Sequence, residues 1–266
     1  MKKRFLLPCL LMVGSLSACG GNSGLVKGGV AYREGDAAKV DAALKAQKEN
    51  SVATCTVNET ADISIKMSAE GQTVNMSESV KAKMTADLVN KSIEGTFDMN
   101  INSNGQTQKV SMSFDGREVG GQLVVNTYGQ YASVLTEDNI ETYYMQASYA
   151  IYSWNYSLDA SGELATLMEQ MDAVSSASIA SFLQNLYSNM VIAGDPATGT
   201  FDVGLSKPVS LYISGLDLSY NKMKYSYKDC LLQSAVVGIK GSGNLSGYSV
   251  SINESVEANY SYTYRK

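Results

Sequence analysis

From Ala61 to Val134 apolar and polar residues alternate with a period of two. Asp62-Ile63-Ser64-Ile65-Lys66-Met67 leads to Gly71-Gln72. Val74-Asn75-Met76 and Val80-Lys81-Ala82-Lys83-Met84 follow, then Phe97-Asp98-Met99-Asn100-Ile101 and Val110-Ser111-Met112-Ser113-Phe114. Successive side chains of a strand point to opposite faces, so this stretch predicts an antiparallel meander with one apolar and one wet face. Asn104-Gly105 and Asp115-Gly116 read as hairpin turns, because tight turns require the positive φ that these dipeptides tolerate. Further strands are expected over 120–126 and 128–135.

Two other regions carry helical spacing. Asp36 can cap a helix running to about Asn50, with Val40, Ala43 and Leu44 on its thin apolar stripe. Over 161–193, Leu164, Leu167, Met168, Met171 and Val174 form one stripe. Ile179, Phe182, Leu183, Leu186, Tyr187 and Met190 form a second, before the stop at Gly194-Asp195-Pro196. From Thr198 strands return: 209–213, 216–227, 231–239, 247–252 and 256–264. Gly215, Gly241-Ser242-Gly243 and Asn253-Glu254 punctuate them. A sheet with one apolar face needs a cover, and the two helices of 161–193 are expected to supply it.

The inward positions of the meander include Met67, Met76, Met84, Met99 and Met112. Methionine is flexible and polarisable, which suits either a core or an adaptable ligand surface. With Leu167, Met171, Phe182, Leu186 and Met190 they make a candidate hydrophobic cleft between sheet and helices. Tyr152, Trp154 and Tyr156 share one face of an extended segment, and such a row either stacks on sugars or packs on a neighbouring sheet.

The N-terminus changes the picture. Lys2-Lys3-Arg4 is a basic start, Phe5 to Leu16 is apolar but too short to span a bilayer, and Leu16-Ser17-Ala18-Cys19 ends it. This resembles the bacterial lipobox, which implies cleavage before Cys19 and a diacylglycerol on its thiol. Residues 1–18 are then a lipoprotein signal peptide and 19–35 a lipidated flexible tether. The protein would be anchored in the bacterial cell envelope, outward of the cytoplasmic membrane. Each buried methylene of two acyl chains contributes about 0.8 kcal/mol, enough for stable anchoring. In such a protein the sequons at Asn58, Asn75, Asn90 and Asn155 are chance matches.

Composition removes function classes. There is no histidine among the 266 residues, so Ser-His and Cys-His dyads and the commonest zinc ligand are missing. Loss of Lys2, Lys3 and Arg4 takes the formal net charge from −5 to −8, unsuited to nucleic acid. Glu163, Glu169 and Asp172 could be read as catalytic carboxylates but read more simply as a solvated helix face. No enzyme activity, cofactor or metal site is expected. Beyond Cys9 in the signal and Cys19, Cys55 and Cys230 remain. In an exported chain they read equally as a disulfide, which could contribute about 4–5 kcal/mol, or as two buried thiols.

The order lipobox, tether, helix, meander, helical insert and further strands resembles the LolA/LppX-like half-barrel lipoproteins, in particular the LolA-like lipoproteins of Gram-positive bacteria. Ala42-Ala43-Leu44-Lys45, the Met-rich alternation from Ile63 to Met112, Phe114-Asp115-Gly116 and Thr142-Tyr143-Tyr144-Met145 carry the resemblance. It implies an α+β fold over residues 36–266: one large curved antiparallel sheet, a half-barrel, with a few helices on its concave face. It also implies lipid or acyl-chain binding in the cleft. The expected partners are the membrane, through the N-terminal lipid, and a hydrophobic ligand. The alternative is a structural or adhesive surface lipoprotein that binds glycan or protein through an exposed face.

Overall fold

A computed structural model of the chain describes residues 24–32, 52–129, 181, 184–186, 188–213, 215–245 and 247–265. These residues are almost entirely strand. The strands are β1 (Val30–Ala31), β2 (Val52–Ala69), β3 (Gln72–Asp87), β4 (Ser92–Ser103), β5 (Gln106–Val119) and β6 (Gln122–Tyr128). After residue 189 come β7 (Met190–Asp195), β8 (Thr200–Leu205), β9 (Val209–Ile213), β10 (Leu216–Lys228), β11 (Leu231–Leu245) and β12 (Tyr248–Tyr264). They form one antiparallel sheet in the order β1-β7-β8-β10-β11-β12-β2-β3-β4-β5-β6, with β9 also paired to β10. The last strand, β12, lies beside β2, so the meander β2–β6 and the C-terminal hairpins form one continuous surface.

One face of this surface is apolar and mostly buried. Its register rows run straight across the strands. One row holds Tyr225, Ala235, Ala258, Glu59, Ala82, Phe97 and Met112. Towards the β3–β4 turn the core is dense: Met84, Phe97, Met112, Phe114, Phe201, Tyr227 and Tyr260 are buried. Phe97 and Phe114 lie 5.9 Å apart at a tilt, and Phe201 stacks on Tyr227 at 4.6 Å. Gly95 makes room for this packing, since a Cβ there would sit 2.5 Å from the Phe114 ring. The opposite face carries Ser, Thr, Asn and Lys in hydrogen-bonded cross-strand pairs such as Thr56–Thr85 at 3.0 Å and Ser111–Asp98 at 2.6 Å.

The expected α+β half-barrel with helices on its concave face is overturned. The described residues give a predominantly β fold. Leu186 lies in a helical stretch, but from Met190 the chain is β7, where the 161–193 helical region was expected to continue. Met190 and Ile192 face Leu205 and Val203 across a ladder, and that pairing with β8 overrides the helical spacing. The helix expected over 36–50, most of 161–193, the strand expected over 128–135 beyond residue 129 and the Tyr152–Trp154–Tyr156 row lie outside the described residues.

Three expected breaks are also corrected. Asp115-Gly116 sits inside β5, opposite Asn126 and Val125, and the hairpin turns instead at Gly120-Gly121. Gly241-Ser242-Gly243 lies within β11, where a Cβ on Gly241 would meet the Leu218 side chain and one on Gly243 the Gly215 backbone. These glycines answer crowding rather than a turn. Asn253-Glu254 is interior to β12. The Asn104-Gly105 turn is present, with φ of 50° and 87°.

The segment Gly24–Tyr32 is part of the sheet. β8 and β9 pair with different stretches of β10, leaving a gap where β10 bulges between Tyr220 and Lys222. Into it comes Gly24, whose carbonyl accepts from the Met223 amide at 2.6 Å, while the Val26 amide donates to the Leu205 carbonyl at 2.9 Å. Val26 is buried, and β1 then pairs with β7. Within the stretch expected as tether, residues 24–32 are therefore held to the fold.

Candidate functional site: an acidic row on the apolar face

The five methionines Met67, Met76, Met84, Met99 and Met112 all fall on the apolar face, but not in one environment. Met84 and Met112 are in the buried core, Met99 packs against its border, and Met67 and Met76 are half-exposed near the β2–β3 turn. Leu186 and Met190 are buried in the core near β8. Leu167, Met171 and Phe182, the remaining expected cleft residues, and Cys19 lie outside the described residues.

The face therefore has two ends. The one nearest the β3–β4 turn is filled. The other, where the β2–β3, β4–β5 and β11–β12 turns meet, is half-open. There Leu218, Ile252, Ile65 and Met76 make one row, and Leu216, Val250, Met67 and Val74 the next. Tyr248 and Val74 are exposed at its rim.

Between the two ends runs a row of different chemistry: Tyr220, Ile239, Glu254, Ile63, Glu78, Ile101 and Gln108. Glu254 and Glu78 flank Ile63. Glu254 is only 8% exposed. Glu78 is half-buried, and its Oε1 is buried with no hydrogen-bond partner. Glu59 lies two rows deeper, flanked by Ala82 and Ala258. Burial pushes Glu254 and Glu59 up to about 7, and raises Glu78 as well. Glu254 in turn helps hold the Tyr220 phenol above its ordinary range, after burial. The other charged inward residue of β2–β5 and β9–β12 is Glu118, at the far end, which Lys91 binds at 2.6 Å. No Lys or Arg stands at an inward position of these strands among the described residues.

Sequence reasoning passed over these glutamates, although the signal was there. Glu59 is in phase with Val57 and Ala61, Glu78 with Met76 and Val80, and Glu254 with Ile252 and Val256. A charge that keeps step with the apolar positions is placed on the buried face.

Cys55 and Cys230 are separate buried thiols, which overturns the disulfide reading. Cys55 is on β2 and Cys230 precedes β11, with β12 between those strands. Two strand spacings come to roughly 9–10 Å, beyond the reach of a disulfide. Burial pushes the Cys55 thiol up to about 12, partly offset by the adjacent Tyr262 hydroxyl, which donates to the Leu232 carbonyl at 2.5 Å. Such a thiol is inert at neutral pH. Among the described residues no group of three or more His, Cys, Asp or Glu side chains is gathered as for a metal ion.

No family model matches the chain, and no curated protein matches it. Among solved structures, the translocator domain of the autotransporter NalP from Neisseria meningitidis aligns over 84% of this chain and 94% of its own, at 7% identity and a TM-score of 0.18. A likeness that low carries no argument about fold or function.

Proposed function

We propose that the chain is a lipid-anchored protein of the bacterial cell envelope that holds a hydrophobic ligand, a lipid or acyl chain, on its apolar sheet face. The observation that carries this reading is the half-open end of that face. Ile65, Met67, Met76, Leu218 and Ile252 keep part of their surface in solvent, whereas Met84, Phe97, Met112 and Phe114 at the other end of the same face are buried. Contiguous apolar surface left open on a folded protein marks a binding surface. The lipobox-like Leu16-Ser17-Ala18-Cys19 supplies the anchor, and the unbranched side chains of Met67 and Met76 adapt to variable chains.

Native mass spectrometry with lipid extraction tests it, on the processed chain purified from bacterial membranes. A stoichiometric bound lipid supports the reading. A clean ligand-free mass that takes up neither fatty acid nor phospholipid refutes it. The adhesive alternative draws support from the opposite face, whose Ser, Thr and Asn pairs present hydrogen-bonding groups in register. Binding of glycan or protein by that face, with no uptake of lipid, would favour it.

A further inference from the structure

The carboxyls that bound the half-open apolar end define what its ligand carries. Resting on the reading above, we infer that the ligand is a cationic amphiphile, its ammonium head seated over Ile63 between Glu78 and Glu254 and its tail on Ile65, Met67, Met76, Leu218 and Ile252.

Three observations lead there. The first is geometry. Glu254 and Glu78 stand on either side of Ile63, with Cα atoms about 10 Å apart across two strand spacings. Both side chains are long enough to turn towards one head group between them. The second is unsatisfied valence. Glu78 Oε1 is buried without a donor, and Glu254, on the other side of Ile63, is only 8% exposed. A buried acceptor without a partner is uncommon in a folded protein, and what this oxygen lacks is a donor. The third is sign. The inward positions around the open end hold carboxyls and no Lys or Arg among the described residues. A fatty-acid carboxylate or a phospholipid phosphate would find no cation there and would meet two carboxyls. An ammonium would supply the missing donor and the opposite charge. Charge-assisted hydrogen bonds of this kind are stronger than neutral ones.

On the side of the β2–β3 and β11–β12 turns, the apolar residues Ile65, Met67, Met76, Leu218 and Ile252 beside the carboxyl row stay half-exposed. The row on its other side, Val237, Val256, Ala61, Val80, Met99 and Val110, leads into the closed core. Head and tail are thereby given a direction: head towards the middle of the sheet, tail towards the β2–β3 and β11–β12 turns.

The test uses the full chain in phosphatidylcholine nanodiscs, with empty discs subtracted, and three probes of equal tail: dodecylamine, dodecanol and laurate. Dodecylamine is expected to bind about tenfold or more tighter than either of the others, as one charge-assisted hydrogen bond allows. In Glu78→Gln and Glu254→Gln chains the ratio of amine to alcohol affinity should fall towards one. Equal binding of amine and alcohol, or preference for laurate, overturns the cationic assignment and leaves the hydrophobic-ligand reading standing. Binding of none of the three overturns both. The probe series on the unaltered chain decides the matter even if a variant fails to fold.

Discussion

Glu254 and Glu78 sit on either side of Ile63 in a single register row, two carboxyls on a predominantly apolar face. The strands that carry them, β12 and β3, meet only through β2. This relationship gives the apolar face an acidic boundary and makes the stability of the sheet sensitive to pH.

The sign follows from the raised carboxyls. Folding favours the neutral form of Glu254, so its contribution is fully present below its ordinary value of 4.5 and is lost as pH rises through about 7. The expected loss is of the order of 2 kcal/mol for one such group. Urea midpoints should be lower at pH 8 than at pH 5, and Glu254→Gln should shrink the difference. A midpoint that rises over this interval contradicts the placement of Glu254.

Gly95 and Phe114 share one space, with the ring where a Cβ would go. Gly95→Ala is expected to destabilise by about 1–3 kcal/mol through overpacking. Phe114→Leu should cost less in the Gly95→Ala background than alone, because the two changes relieve each other. Chemical denaturation of the double-mutant cycle measures that coupling, and simple additivity would show that the ring and Gly95 are not in contact.

Val26 is buried in the strap that crosses from β10 to β8. Val26→Asp places a charge there and should cost about 3 kcal/mol or more. A change at exposed Lys27 should leave the melting temperature as it was. Equal melting temperatures for Val26→Asp and the unaltered chain would mean that the strap is detached.

Alkylation under native conditions should leave Cys55 and Cys230 unmodified, and both should react once the chain is unfolded without reductant. A mass lower by two hydrogens, or failure to react in denaturant alone, would reveal a bridge that the strand order forbids.

Cys19→Ala tests the anchor independently of the sheet. The variant should remain unprocessed or leave the membrane fraction, and should lose palmitate labelling. Unchanged partition and labelling would remove the lipobox assignment and leave the sheet as described.

The sequence by itself determined the faces. Alternation along β2 to β5 assigned Met67, Met76, Met84, Met99 and Met112 to one side, because side-chain direction in a strand depends only on parity. It also located the turn at Asn104-Gly105, where positive φ is a local demand. Asp115-Gly116, Gly241-Ser242-Gly243 and Asn253-Glu254 carry the same turn residues yet lie within strands, since pairing with β6, β10, β12 and β2 outweighs a local preference. Met190 followed helical spacing and became strand for the same reason, against β8. Only the tertiary structure put β12 beside β2. Which distant strands become neighbours, and in what register, is settled by the burial that the whole sheet achieves. That choice brings Glu254 and Glu78 to the two sides of Ile63, and separates Cys55 from Cys230 by a strand.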